Sequence, residues 1–151
     1  MTYYVYIMTN DRHTVLYVGV TKSIENRAFD HKVKRNKNSF TAKYNCRNLV
    51  YYEEFGEIKV AIYREKQLKK YHRKWKEELI EKTNPEWKDL SEGWYDPKEF
   101  ELFKKFDHCI QRAGFRVAQD LDYNSYLIEI NDYLFKILSL ARNDTLKLTW
   151  S

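Results

Sequence analysis

Three groups of residues in this 151-residue chain depart from what a packed core requires, and each could do chemistry. Ile58, Ala61, Ile62, Glu65, Leu68 and Trp75 recur near helical spacing, and Glu65 interrupts the stripe. A carboxylate on an apolar face is costly unless it is paired, hydrogen-bonded or bound to a metal ion. Such an acid is either a site residue or sits at the stripe's edge, paired with Lys66 or Lys69. Arg27 and His31 stand four apart, which on a helix puts them on one face. An anion between guanidinium and imidazole would relieve their repulsion; two ordinary surface residues would show the same spacing. Tyr4, Tyr6 and Met8 share one side of a strand-like run, with Tyr3, Val5 and Ile7 on the other. Tyr17 and Gly19 share a side of a second run. A glycine inside a strand marks close approach of a ligand or of backbone. A buried tyrosine with a satisfied hydroxyl remains the ordinary role for any one of these rings.

The elements that must position these residues can be read along the chain. Tyr3 to Thr9 (YYVYIMT) is β-branched and aromatic and ends in Asn10-Asp11, a turn signal. Val15 to Val20 is a second strand, so the pair reads as a hairpin. Thr21 or Ser23 caps a helix over about Ile24 to Lys34. A polar loop, Asn36 to Asn45, leads to a third strand at Leu49 to Phe55. A helical pattern then runs from Ile58 to about Lys82, with Tyr71 to Arg73 as the place where it could break. Asn84-Pro85 stops it, and Trp87 to Leu90 reads as a short closing turn.

After Asp96-Pro97 the character changes. Phe100, Phe103, Phe106 and Ile110 sit at helical spacing, and Leu127, Ile130, Leu134, Ile137 and Ala141 form a seam like that of a coiled coil. The seam is too short for a coiled coil and suits a helix packing on its own domain, on a second copy or on another protein. The chain divides accordingly into a domain at 1–95 and a mainly helical extension at 96–151.

Apolar residues make up 43% of the chain, enough for a core, and four Gly and two Pro leave little room for long linkers. Two cysteines, Cys46 and Cys109, are too few for a disulfide framework or a cysteine-based zinc site. Neither a signal-peptide pattern nor a run of roughly 20 apolar residues is present, so the reading is a soluble cytoplasmic protein with no membrane partner. The net charge is +5, and it is uneven: residues 1–95 hold 19 basic and 13 acidic residues, while 96–151 hold 8 and 9. A basic front part rich in tyrosine suits a polyanion such as nucleic acid, since Lys and Arg displace counterions and rings can stack on bases.

The order and spacing of these signals are more specific than any one of them. Tyr4-Val5-Tyr6, Tyr17-Val18-Gly19, Arg27 and His31, Glu65 and Asn84 together resemble the GIY-YIG nuclease family, especially its small stand-alone bacterial, YhbQ-like members. Leu16 to Thr21, Phe40 to Asn45, Leu49 to Glu53, Arg64 to Lys69 and Asn84 to Leu90 are similar to the same group. The likeness covers about residues 1–95. Tyr4 stands where the family name has Gly, at a position that is not chemical.

The resemblance implies an α/β (α+β) fold with a small three-stranded antiparallel sheet flanked by helices. It implies an endonuclease that hydrolyses phosphodiester bonds, in DNA more readily than RNA, with one divalent ion, Mg²⁺ or Mn²⁺. Carried over, Glu65 is the metal ligand, and Arg27 contacts the scissile phosphate. Tyr6 and Tyr17 line the same pocket, and one of them is the base toward the attacking water or positions it. The sequence does not decide which; Tyr6 is taken as the base with Tyr17 orienting, a role for which a phenol needs a neighbouring cation. His31 shuttles a proton or hydrogen-bonds a tyrosine hydroxyl or the phosphate, Asn84 anchors the site by hydrogen bonds, and Gly19 leaves room for the second tyrosine, Tyr17. Lys32, Arg35, Lys43, Lys66, Lys69, Lys70 and Arg73 line the nucleic-acid path, together with Lys34, Lys37, Lys74 and Lys76. The rival readings are a metal-free nucleic-acid-binding module and an interaction protein that forms a dimer or docks a partner through 96–151.

Overall fold

The computed structural model describes residues 1–112; the seam from Leu127 to Ala141 lies outside them. Three strands, β1 (Tyr3–Thr9), β2 (Leu16–Thr21) and β3 (Asn48–Phe55), form an antiparallel sheet in the order β2-β1-β3. The near-continuous apolar run of β1 suits the central place, where both faces are covered; Val5 to Thr9 are all buried. Asn10 closes the β1–β2 hairpin, its Oδ1 accepting from Thr14 N at 2.8 Å.

Helix α1 (Ile24–Val33) opens on Ser23, whose hydroxyl accepts from Asn26 N, and ends at Lys34 in the left-handed region. Of the two expected caps, Ser23 serves. The stretch expected to be a polar loop contains one helical turn, α2 (Phe40–Lys43), capped by Ser39. The long helical pattern is two helices, α3 (Ile58–Lys70) and α4 (Arg73–Thr83), separated by Tyr71 and His72 in extended conformation. A last helix, α5, spans Pro97–Arg112.

The sheet lies between helices. On one face Val5, Ile7, Val18, Val50 and Tyr51 pack with Ala61 and Leu68 of α3 and Ile80 of α4. On the other, Tyr6, Met8 and Leu49 pack with Ile24 of α1 and with Cys46. Phe29 of α1 stacks on Phe100 at 5.2 Å and meets Phe103 at 5.8 Å, bringing the start of α5 into the unit formed by Met1–Lys104. Ile58 and Ile62 of α3 and Trp75 of α4, expected on one stripe of a single long helix, are exposed. Ala61, Glu65 and Leu68 are the positions that meet the sheet, and Ile58 and Ile62 lie to one side of that line.

Candidate active site

Tyr6 is the centre of the site, 1% exposed at the middle of β1. Its partner across the ladder is Gly19 of β2. A Cβ at position 19 would lie 2.5 Å from the Tyr6 hydroxyl oxygen and 2.6 Å from Cζ. Gly19 therefore makes room, but for Tyr6 and not for Tyr17 as expected. Cross-strand partners point to the same face, so the missing side chain belongs to the residue opposite.

Helix α1 supplies the polar partners. Arg27 Nε donates to the Tyr6 hydroxyl at 3.1 Å, and His31 Nε2 lies 3.0 Å from the same oxygen. The four-residue spacing that placed Arg27 and His31 on one face is what lets both reach one phenol. The Tyr17 ring sits 6.2 Å from that of Tyr6 and edge-on to His31 at 5.6 Å. Tyr6, Tyr17, Arg27 and His31 are thus one contiguous group, with Gly19 beneath it.

His31 Nδ1 is held 3.0 Å from Thr41 Oγ1, which in turn lies 3.1 Å from Ser39 Oγ. With the proton on Nδ1, the imidazole donates to Thr41 and accepts from Tyr6, and Tyr6 accepts from Arg27; both ring nitrogens and the Tyr6 hydroxyl are then satisfied. Burial, and then the positive charge of Arg27, lower the His31 pKa to about 3, so the ring is neutral at physiological pH. Burial also pushes the Tyr6 phenol well above its ordinary value, against the opposing pull of Arg27. For Arg27 burial acts downward, but the two phenols outweigh it and hold the guanidinium firmly charged.

Glu65 stands on α3, between Ala61 and Leu68, which pack with Val5, Ile7 and Val18. It is buried, and its ion pair is with Lys69 one turn on. No hydrogen bond or ion pair joins it to Arg27, His31 or either tyrosine. Its helix is clamped to β3 by Arg64, whose Nε and Nη2 reach Glu53 at 2.8 and 2.7 Å, and this fixes which way Glu65 faces. Among the described residues no three His, Cys, Asp or Glu side chains converge as a metal site. A single buried carboxylate fits an ion held by one protein oxygen, waters and substrate phosphate, the manner of Mg²⁺ and Mn²⁺, and does not fit a zinc cage.

Asn84 anchors by hydrogen bonds, but what it anchors is a turn. Its Nδ2 donates to the carbonyls of Val50 (3.2 Å) and Lys88 (2.8 Å), and its Oδ1 accepts from Lys88 N at 3.0 Å. The amide is fully committed, so Asn84 takes no place in the tyrosine group.

A model of the GIY-YIG catalytic domain matches residues 2–78. The chain belongs to the GIY-YIG family. The match spans β1 through the first half of α4 and so contains Tyr6, Tyr17, Gly19, Arg27, His31 and Glu65. Among solved structures, the chain is similar to the UPF0213 protein BH0048 from Bacillus halodurans, determined by solution NMR, at 22% identity with a TM-score of 0.39, covering 62% of this chain and 98% of that one. No curated protein matches it. Membership in the GIY-YIG family makes nuclease chemistry, divalent-metal dependence and nucleic-acid binding the general class of activity. No helix among the described residues is long and apolar enough to cross a membrane.

The cations expected along a nucleic-acid path divide into two kinds in this GIY-YIG chain. Lys32 pairs with Asp89, both largely covered, and Asp89 also accepts from Leu49 N and the Ser91 hydroxyl. Arg35 pairs with Asp30 and lies over the Phe103 ring. Arg73 pairs with Glu77 and donates to the carbonyls of His13 and Thr14, tying the hairpin to α4. Lys69 is engaged by Glu65. Lys32, Arg35 and Arg73 reach residues distant in sequence, whereas Lys69 pairs within its own helix. Lys43, Lys66 and Lys70 present exposed ammonium groups.

Two residues of the site were missed by sequence reasoning. Thr41 orients the histidine, and Phe40 stacks on the Tyr17 ring at 6.3 Å. Both come from α2, a single turn too short to show a hydrophobic period. The signals available were Ser39, a capping residue, and the likeness of Phe40 to Asn45 to the family, neither of which gave Phe40 or Thr41 a role.

Proposed function

We propose that this chain is a metal-dependent endonuclease hydrolysing phosphodiester bonds in DNA. The observation that carries the reading is the buried Tyr6 hydroxyl, hydrogen-bonded at once to Arg27 and His31 beside the Tyr17 ring. Such an arrangement has no structural need of a guanidinium and an imidazole together, and it leaves one face of Arg27 for an anion.

Arg27 would bind the scissile phosphate and stabilise the charge that grows on its oxygens. Tyr6 is a poor base by itself, since burial raises its pKa. It would take a proton from the attacking water only as it passes its own to His31 Nε2, leaving an imidazolium held by Thr41. A bound phosphate favours this step by offsetting the positive field of Arg27, one of the two causes that keep His31 neutral. Tyr17 would orient the water. Glu65 would hold Mg²⁺ or Mn²⁺, which when bound supplies Lewis-acid stabilisation of the phosphate. Lys43, Lys66 and Lys70 would steer the backbone without reading sequence.

The ion pair between Glu65 and Lys69 favours a second reading, a nucleic-acid-binding module that uses no metal. Cleavage of labelled single-stranded, duplex and branched DNA, with and without Mg²⁺ or Mn²⁺, separates the two. Metal-dependent products that vanish in Glu65→Ala support the nuclease. Salt-sensitive binding by both proteins with no cleavage supports the module.

A further inference from the structure

Helix α2 has two unlike sides. Thr41 and Ala42 are buried, and Thr41 is hydrogen-bonded to His31. Phe40 is 51% and Tyr44 42% exposed, their ring centroids 4.6 Å apart, and Lys43 Nζ stands 5.7 Å from the Tyr44 ring. Phe40 also stacks on Tyr17, with planes inclined by 28°. A continuous row of rings therefore leads from the tyrosine at the site to solvent, with an ammonium beside its outer end. Burying Phe40 and Tyr44 in the core would have been favourable; instead they are displayed by the same turn that fixes the histidine.

We propose that Phe40 and Tyr44 form a stacking platform for an unpaired nucleobase next to the phosphate held at Arg27, with Lys43 on the neighbouring phosphate. The occupant follows from the row itself: the Phe40 and Tyr44 rings, inclined by 44° to each other, are exposed and each offers a π face to any base, and a cation beside them matches the linked phosphate. A base within a duplex has both faces stacked already and cannot use the platform, so the substrate is single-stranded DNA or DNA with an unpaired base at the cleavage point. The inference rests on the nuclease reading for the place of the phosphate. Its test does not need cleavage.

The probe is a short oligodeoxynucleotide carrying 2-aminopurine, titrated with the full chain in EDTA so that no strand is cut. Wild type should quench the fluorophore on binding, as stacking requires. Phe40→Ala should weaken binding about tenfold and abolish most of the quench, and Phe40→Trp should restore both. Binding of the matching duplex should change less than about twofold in either variant, which also reports that the fold is intact. Unchanged single-strand affinity and quench in Phe40→Ala, or an equal loss on duplex and single strand, would overturn the platform. So would an absence of single-strand binding by wild type. Failure of cleavage with a Phe40-dependent quench would sink the nuclease reading and leave the platform standing.

Discussion

Gly19 and Tyr6 face each other across the β1–β2 ladder so closely that one added methyl group at position 19 would lie 2.5 Å from the Tyr6 hydroxyl oxygen. The ring cannot swing aside without giving up Arg27 and His31, the two partners of that oxygen. Gly19→Ala is therefore expected to destabilise the fold by about 1–3 kcal/mol, the usual range for an overpacked site. Cleavage should fall further than stability explains. Urea denaturation alongside cleavage rates checks both. A variant as stable as wild type would show that the contact is not as tight as described.

His31 provides a pH signature. Its pKa is about 3 in the folded chain and about 6.5 when unfolded, so below the latter the unfolded state binds more protons. The stability that comes from keeping this ring neutral is full above about pH 6.5 and is lost as pH falls toward about 3. At pH 5 the loss should be about 2 kcal/mol relative to about pH 7.5. In His31→Gln, which titrates nowhere in this range, the difference between the two pH values should shrink by that amount. Equal pH dependence in the two proteins would mean that His31 is charged or solvated.

Thr41 fixes the tautomer on which the proposed relay depends. Thr41→Val keeps the shape and leaves Nδ1 without an acceptor, at a cost of about 1–3 kcal/mol. Single-turnover cleavage should drop while DNA affinity holds, the ¹⁵N shifts of His31 should report a mixed tautomer, and Thr41→Ser should recover both. A change in stability with no change in rate or tautomer would confine Thr41 to a structural part.

The cations should separate by role. Lys32→Met leaves Asp89 partly covered without its partner and should cost about 1–3 kcal/mol in stability with little effect on DNA binding. The pair Lys66→Ala and Lys70→Ala should leave stability within about 0.5 kcal/mol. It should lower the salt slope of duplex binding by about 0.9 for each phosphate that the chain no longer neutralises. Denaturation and binding titrations at several salt concentrations decide.

This division was not legible in the sequence. Lys32 and Asp89 are 57 positions apart and meet only because the segment after Asn84 folds back along β3. Charge counting saw a basic front part, and it could not see that Lys32, Arg35, Lys69 and Arg73 are occupied. The strands were legible because Tyr3 to Thr9 is a β-branched and aromatic run that ends in the turn signal Asn10-Asp11. The break at Tyr71 and His72 was visible as a weak point, though nothing local decides whether a helix there stops or bends. Arg27 and His31 could be placed on one face, but that both meet Tyr6 depends on how α1 packs on the sheet. Gly19 was marked as a close approach, and the register between strands then decided which ring it serves. Thr41 lies in a polar stretch with no period at all, so its bond to His31 had no precursor in the pattern.

Central to the proposed mechanism is that the Tyr6 hydroxyl takes part in hydrolysis and is not merely a buried, satisfied phenol. Tyr6→Phe keeps the ring and removes only that oxygen. With DNA and Mg²⁺ or Mn²⁺ saturating, its single-turnover rate should fall at least about 100-fold, with affinity for DNA within about threefold of wild type. A rate close to that of wild type would contradict the claim and leave Tyr6 as packing.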